Sequence, residues 1–144
     1  MASSPHPVTI IMVEDDDGHA RLIEKNIRRA GVCNEIRHFV SGNAACDHLF
    51  GDPTHDHGPI LVLLDLNLPD MSGTEILARL KSDETLRRAP VVVLTTTDDQ
   101  REIERCYDLG CNVYITKPVE YESFAQAIRQ LGLFLSVMQV PEVP

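Results

Sequence analysis

Apolar runs and helical patterns alternate along most of the chain. The runs at 8–13, 60–64 and 91–95 have the length and the flanking turn residues of strands buried on both faces. Segments 35–40 and 112–116 predict two further strands, and each strand is followed by apolar residues at helical spacing. Five β/α units in succession predict an α/β fold: a doubly wound, five-stranded parallel sheet with helices on both faces.

Local signals indicate where the helices begin and end. Gly31 and Gly110 are expected to stop the first and fourth helices. Helices often begin after a side chain that accepts a hydrogen bond from a free backbone N–H group. Four such residues are predicted as caps, the last two within capping-box patterns: Asp17, Ser41, Ser72 and Thr97. The segment GDPTHDHGP at 51–59 is predicted to be a loop.

Length and composition predict one domain without disulfides. A chain of 144 residues can bury its own core, and we assign residues 8–131 to that domain. The four cysteines form no Cys-x-x-Cys pair and are interpreted as free thiols. No apolar run approaches about 18 residues, and no secretory pattern is present, so we expect a cytoplasmic protein that does not enter membranes. The net charge of -9 argues against nucleic-acid binding.

The two ends of the chain are predicted to differ. Residues 1–7 are expected to be disordered, and residues 132–144 to form a C-terminal arm. From 131 to 140, seven of ten residues are apolar, and Leu133, Phe134 and Val137 fall off the face that would extend the last helix. Because exposed apolar patches mark interaction sites, we predict a homodimer in which this arm packs against the second subunit.

Polar residues follow four of the predicted strands. Glu14 and Asp15 follow the first strand, Asp65 the third, Thr95 ends the fourth and Lys117 follows the fifth. In an open parallel sheet, ligands bind beyond the carboxyl ends of the strands. We therefore expect three carboxylates, a hydroxyl and an ammonium to converge on one edge.

These side chains suit phosphoryl chemistry. Two carboxylates about 5 Å apart repel by roughly 3 kcal/mol at an effective dielectric near 20, so the cluster calls for a cation. Mg²⁺ takes one or two carboxylates together with phosphate oxygens. The Lys ammonium and the Thr hydroxyl can bind phosphoryl oxygens. The set predicts transfer of a phosphoryl group to a carboxylate, a known form of nucleophilic catalysis.

Four motifs carry a family resemblance. They are VEDDD (13–17), LLDLNLPDMSG (63–73), VVVLTTT (91–97) and YITKPV (114–119). In this order and at these spacings, the chain resembles the response-regulator receiver domains of two-component signalling, which have a flavodoxin-like fold. The resemblance covers the chain from about residue 8 to residue 131.

The resemblance implies a role for each residue at this edge. Asp65 would be the phosphoacceptor, Thr95 would bind a phosphoryl oxygen and Lys117 would pair with the phosphoryl group. Tyr114 would be the aromatic switch that swings inward when Thr95 moves toward the phosphate. The Lys117-Pro118 peptide bond is expected to be cis.

The resemblance also implies a metal site and a control of phosphoryl lifetime. Mg²⁺, or another divalent cation such as Mn²⁺ or Ca²⁺, would be held by Asp15, by Glu14 directly or through water, by Asp65, and by the backbone carbonyl of Asn67. Residues two beyond Asp65 and two beyond Thr95 would lie beside the path of the hydrolytic water. These are Asn67 and Thr97, and they predict an intermediate rate of hydrolysis.

The expected partners are proteins. The short segment after the last helix predicts a stand-alone regulator that takes its phosphoryl group from a sensor histidine kinase and signals to an unknown downstream protein. Within the family, the chain looks like the small regulators that serve bacteriophytochrome kinases. A chemotaxis-type regulator is the alternative. No catalysis beyond its own phosphorylation and dephosphorylation is expected.

Three other classes of protein fit the pattern less well. A haloacid-dehalogenase-type phosphatase would want a second aspartate where Asn67 stands, and it would need a cap domain. A flavin carrier would need a glycine- and hydroxyl-rich phosphate loop after the first strand, where this chain has acids. A degenerate receiver used only for binding would not need the full set of acids, Thr and Lys.

The histidines give weaker signals. The HDH segment at 55–57, with His48 nearby, could form a metal site. Three histidines without cysteine or regular spacing are more typical of a solvated loop, which is the preferred interpretation. His6, His19 and His38 are isolated in the sequence.

Overall fold

A computed structural model describes residues 8–127 and contains one parallel sheet. The order of its strands is β2-β1-β3-β4-β5. The reversal of direction beside β1 is the doubly wound arrangement that the sequence predicts. The strands are β1 (Thr9–Val13), β2 (Ile36–Phe39), β3 (Ile60–Leu64), β4 (Val91–Thr95) and β5 (Val113–Thr116).

Helices connect the strands as expected. They are α1 (Asp17–Arg29), α2 (Gly42–Phe50), α3 (Gly73–Ser82) and α4 (Gln100–Leu109), and residues 121–127 form the described part of a fifth helix, α5. Gly110 ends α4 with a positive φ of 112°, a conformation that glycine adopts without strain. The predicted loop at 51–59 contains no helix or strand.

Each face of the sheet has its own core. Alternate residues of a strand point to opposite faces. Ile11 and Val62 pack with α2, α3 and α4, whereas Ile10 and Leu61 pack with α1 and with Phe124 of α5. β3 and β4 are buried along their whole length because both faces are covered, which explains their uninterrupted apolar sequences.

Two predicted helix caps are wrong. Asp16 rather than Asp17 caps α1, because Asp16 has an extended backbone and its side chain accepts a hydrogen bond from the backbone N of His19 at 3.0 Å. Asp99 rather than Thr97 caps α4. Thr97 remains in the loop, where its carbonyl accepts a hydrogen bond from Tyr114. Ser41 and Ser72 are caps as predicted.

The cysteines form no disulfide, as the sequence predicts. All four cysteines are free, with Cys33 exposed and the others buried. Among the residues from 8 to 127, no helix has the length and apolar character needed to cross a membrane. The predicted disorder at 1–7 and the predicted arm at 132–144 lie outside the described residues.

Candidate functional site

The strand register brings the predicted residues to one edge of the sheet. Val13 pairs with Leu64 across β1 and β3, and Thr95 pairs with Thr116 across β4 and β5. The residue after each of these pairs is also fixed by a backbone hydrogen bond. The backbone N of Asp65 donates to the carbonyl of Val13 at 3.0 Å, and the backbone N of Lys117 donates to the carbonyl of Thr95 at 2.7 Å. The side chains after these strands therefore start from fixed positions.

A buried ion cluster occupies the centre of this edge. Lys117 Nζ lies 2.5 Å from Glu14 Oε1 and 3.2 Å from Asp65 Oδ2. All three side chains are less than a tenth exposed. The peptide bond between Lys117 and Pro118 is cis, as expected. Three groups from three different strands thus form one network, with two carboxylates facing one ammonium.

Burial and mutual charge shift the pKa values of Glu14 and Lys117. Burial raises the pKa of Glu14, and the hydrogen bond from Lys117 offsets only part of that effect. Burial by itself would lower the pKa of Lys117, but the hydrogen bond to Glu14 and the charges of both carboxylates outweigh it and raise that pKa. The ammonium therefore stays charged at neutral pH.

The acidic residues can hold a divalent cation. Glu14, Asp15 and Asp65 each offer a carboxylate oxygen, and these oxygens lie within 4.8 Å of one another. Asp15 is exposed and the other two are buried, so a cation could enter from the side of Asp15. All the ligand atoms are oxygens, which suits a hard cation such as Mg²⁺ or Mn²⁺. The backbone N of Asn67 donates to Asp65 Oδ1 at 3.0 Å, and the role of the Asn67 carbonyl stays a prediction.

Asn67 connects the acidic residues to the end of β4. Its side-chain Nδ2 donates to Thr95 Oγ1 at 3.1 Å and also lies 3.4 Å from Thr97 Oγ1. Thr95 is fully buried. The two residues expected to flank the path of the hydrolytic water, Asn67 and Thr97, are therefore neighbours.

Tyr114 is linked to the same loop. Its hydroxyl donates to the carbonyl of Thr97 at 2.6 Å, and its side chain is half-buried. Burial raises the pKa of Tyr114 to about 12, so it remains a hydrogen-bond donor at neutral pH. The predicted switch residue is thus bonded to the residue two beyond Thr95, and its switching stays a prediction.

The loop after Asp65 approaches its neighbours too closely for a larger residue at position 73. A Cβ on Gly73 would lie 2.3 Å from the backbone O of Asp65. The backbone N of Gly73 donates to the carbonyl of Leu66 at 2.9 Å, which closes the turn. Position 73 therefore requires glycine for the turn that follows Asp65 to keep this shape.

Two histidines that look isolated in the sequence contact this site. His19 Nδ1 lies 3.3 Å from Lys117 Nζ, and His38 Nε2 lies 2.7 Å from the carbonyl O of Glu14. Sequence reasoning missed both because their partners are distant in the chain. For His19 the available signal was its place in the first turn of the helix that follows the acids.

A small cavity adjoins Lys117. Its volume is about 110 Å³, and it opens to solvent between the first helix and the segment after β5. Leu22 at its rim is 46% exposed. The cavity is lined by His19, Leu22, Ile23, Lys117, Pro118 and Val119.

Comparisons with known proteins agree with one another. The family described as response regulator receiver domain matches residues 10–129. Response regulator Rcp1 from Synechocystis sp. is 37% identical, over 89% of this chain and 88% of its own. The segment matched by the family contains every residue of the site.

Solved structures extend the similarity to the fold. A response regulator receiver domain from Rhodospirillum rubrum has a TM-score of 0.76 and 68% identity, over 94% of this chain and 99% of that one. The bacteriophytochrome response regulator RtBRR has a TM-score of 0.77 and 35% identity, over 88% and 78%. The Mn²⁺-bound form of Rcp1 has a TM-score of 0.74 and 31% identity, over 96% and 99%.

Proposed function

Because this chain belongs to the response regulator receiver domain family, we propose that Asp65 accepts a phosphoryl group from a sensor histidine kinase. The observation that carries the proposal is the position of the Asp65 carboxylate. It contacts Lys117 and lies within 4.8 Å of the carboxylates of Glu14 and Asp15. One nucleophile, one cation-binding set and one ammonium are what transfer to a carboxylate needs.

The reaction follows from these groups. A carboxylate oxygen of Asp65 attacks the phosphorus of a kinase phosphohistidine, the new P–O bond forms as the P–N bond breaks, and the leaving imidazole takes up a proton. Lys117 supplies a point charge for the phosphoryl oxygens. Glu14, Asp15 and Asp65 would hold Mg²⁺, which neutralises charge on the transferring group when bound. A phosphatase of the haloacid-dehalogenase type is not favoured, because the Asn67 amide cannot serve as the second acid.

The new phosphoryl group would then compete for existing hydrogen bonds. Lys117 Nζ donates to the carboxylates of Glu14 and Asp65 and lies 3.3 Å from His19 Nδ1, which accepts the third N–H when that ring nitrogen is unprotonated. Binding a phosphoryl oxygen requires that at least one of these contacts break. Thr95 and the Thr97–Tyr114 hydrogen bond lie next to the same site, so the rearrangement can extend to the surface around Tyr114.

The proposed partner is a bacteriophytochrome kinase. The support is the similarity to RtBRR, a bacteriophytochrome response regulator. The surface proposed to meet the kinase is the apolar rim at Leu22, since a kinase histidine must approach Asp65 and this rim adjoins Lys117. A chemotaxis kinase is the alternative partner.

Phosphorylation of Asp65 can be tested directly. With Mg²⁺ and an acyl phosphate donor, the protein should gain one phosphoryl group, measured by intact mass, that is labile to acid and to base as an acyl phosphate is. Asp65→Asn should gain none. Asp17→Asn, a change in an exposed acid of the first turn of α1, is the matched control and should be phosphorylated normally. Persistent labelling of Asp65→Asn would overturn the assignment.

The partner can be tested separately. Phosphotransfer from a phosphorylated bacteriophytochrome kinase should be faster than transfer from a chemotaxis kinase. Leu22→Glu should slow transfer from the kinase and leave phosphorylation by the acyl phosphate unchanged, while Leu22→Met should resemble the wild type. Equal slowing with both donors would argue that Leu22 acts on the site and not on docking.

A further inference from the structure

Asp15 is the exposed member of the acidic set, whereas Glu14 and Asp65 are buried. The direction of its carboxylate therefore depends on the two peptide planes that flank it. The plane that follows Asp15 is held from one side, because the backbone N of Asp16 donates to Glu14 Oε2 at 3.1 Å. The plane that precedes Asp15 carries the carbonyl of Glu14, so whatever binds that carbonyl orients the turn.

A side chain of β2 binds this carbonyl. His38 Nε2 lies 2.7 Å from the carbonyl O of Glu14. A carbonyl can only accept, so Nε2 carries the hydrogen and donates it. The contact joins β2 to the turn after β1 across 24 positions of sequence. The imidazole is thus bonded to the peptide unit that leads into Asp15.

The imidazole takes the place of a backbone donor. Hydrogen bonds between parallel strands are evenly spaced, and one of those between β1 and β2 runs from the backbone N of Glu14 to the carbonyl of Phe39 at 3.0 Å. If the ladder continued by one step, the backbone N of residue 41 would donate to the carbonyl of Glu14. β2 instead ends at Phe39, and the ring of His38 stands at this carbonyl.

We propose that His38 is a positioning residue for the cation site, because its imidazole holds the turn that presents the carboxylate of Asp15. The inference rests on the cation site of the proposed function and adds a residue that acts on it from outside the ligand set. Loss of an outer contact that orients a metal ligand typically costs about 10-fold to 100-fold in affinity. His38 acts on the backbone and not on a ligand atom, so we expect about 10-fold, the lower end of this range.

Calorimetric titration of the full-length, metal-free protein with Mg²⁺ at one fixed pH tests this role. His38→Leu keeps a side chain of similar size without a donor and should bind Mg²⁺ about 10-fold more weakly than the wild type. His38→Gln should restore most of the affinity, because its amide nitrogen can donate to the same carbonyl. His55→Ala, at an exposed histidine of the loop before β3, is the matched control and should bind Mg²⁺ like the wild type.

Phosphorylation by an acyl phosphate gives a second readout. In His38→Leu, the Mg²⁺ concentration that gives half the maximal rate should rise by the same factor as the dissociation constant. The rate at saturating Mg²⁺ should match that of the wild type, because Asp65 and Lys117 are unchanged. A lower rate at saturating Mg²⁺ with an unchanged half-maximal concentration would overturn a role in cation binding.

Amide hydrogen exchange in the metal-free protein measures the turn itself. The backbone amides of Asp15 and Asp16 should exchange faster in His38→Leu, while the melting temperature stays close to that of the wild type because His38 is exposed. Equal Mg²⁺ affinity in His38→Leu and the wild type, or a His38→Gln variant as weak as His38→Leu, would overturn the inference and leave the proposed function standing. A wild-type protein that binds no Mg²⁺ would overturn the cation site of the proposed function, and this role with it.

Discussion

At the scale of single residues, replacing Lys117 should slow phosphoryl transfer without weakening cation binding. It contacts both Glu14 and Asp65, whereas the cation-binding oxygens come from the carboxylates alone. Lys117→Ala removes a positive charge that competes with the metal, so Mg²⁺ affinity should be kept or increased. Phosphoryl transfer should slow by about 100-fold to 1,000-fold, the usual cost of removing one preorganised donor. Calorimetry and phosphorylation rates measure the two effects.

A different outcome would assign Lys117 another role. Burial already raises the pKa of Glu14, and loss of the hydrogen bond from Lys117 should raise it further. If Mg²⁺ binding were lost at neutral pH, the ammonium would be needed to keep Glu14 ionised. If Mg²⁺ binding and the rate of phosphoryl transfer were both unchanged, Lys117 would contribute only to packing.

Thr97 should control how long the phosphoryl group persists. Its hydroxyl lies 3.4 Å from Asn67 Nδ2, and its carbonyl binds the Tyr114 hydroxyl. The short, uncharged Thr side chain can do little to orient water, so we expect hydrolysis of intermediate rate in the wild type and altered decay in Thr97→Glu and Thr97→Ala. Decay of the phosphorylated mass over time measures this. Asp98→Ala, at the exposed residue that follows Thr97, is the control. Unchanged decay in both Thr97 variants would show that position 97 does not control hydrolysis.

Much of the site could be predicted from strand ends. Glu14, Asp65, Thr95 and Lys117 each directly follow or end a strand, and a parallel sheet brings such positions to one edge. The contacts of His19 and His38 could not be predicted. His19 meets Lys117 across 98 positions of sequence, and only the tertiary fold places the start of α1 next to the segment after β5.

At the scale of elements, Asp70 links the loop after β3 to α2. Its carboxylate accepts hydrogen bonds from the backbone N of Gly42 at 2.8 Å and of Asn43 at 2.6 Å, two groups in the first turn of α2. The hydrogen bond from Asn43 and then that from Gly42 lower the pKa of Asp70. The ionised carboxylate therefore stabilises the fold, because free N–H groups at a helix start favour a negative charge.

The pH dependence of stability should show this link. A carboxyl whose pKa is lowered on folding stabilises the protein above its unfolded pKa of about 3.9, and that contribution is lost as the pH falls through the lower folded value. Asp70→Asn should therefore unfold at lower urea concentration at pH 7, and the difference from the wild type should shrink below about pH 4. Glu84→Gln, in an exposed acid, is the control. An equal difference at every pH would assign the loss to packing and not to charge.

The elements themselves could be predicted better than their ends. The run at 60–64 matches β3 residue for residue because turn residues flank it on both sides. The fourth helix begins later than the Thr97-x-x-Gln100 pattern predicts, because Thr97 is held by Tyr114, a residue of the next strand. A capping pattern reflects only hydrogen bonds between residues that are close in sequence. A hydrogen bond from a distant residue can therefore change where the helix begins.

At the scale of the whole molecule, clusters of polar side chains lie at both ends of the sheet. The carboxyl end holds the buried ion cluster and Asp65, the proposed phosphoacceptor. The amino end holds the loop that carries His55 and His57, whose rings lie close to that of His48 in α2. α2 spans the distance between them, since Asp70 binds its first turn and His48 lies in its last. α2 is therefore hydrogen-bonded to the loop after Asp65 at one end and to the loop before β3 at the other.

The proposed homodimer is the prediction that belongs to the whole chain. Seven of ten residues from 131 to 140 are apolar, and they lie outside the described residues. Burying a Val- or Leu-sized side chain contributes roughly 1.5–3 kcal/mol, so a second subunit that covers several of them would gain substantially. Because association costs are large, the area alone does not give the affinity. We expect the full-length protein to be a dimer by light scattering at micromolar concentration and the variant lacking residues 133–144 to be a monomer.

A full-length variant separates the length of the arm from its apolar character. Leu133→Ser, Phe134→Ser and Val137→Ser together keep every residue of the arm and remove the side chains that fall off the helical face. If apolar burial holds the dimer, this variant should dissociate as the truncated protein does. A truncated protein that stays fully dimeric would place the interface elsewhere, and a wild-type monomer would exclude the dimer. Repeating the measurement after phosphorylation of Asp65 tests whether assembly responds to phosphorylation.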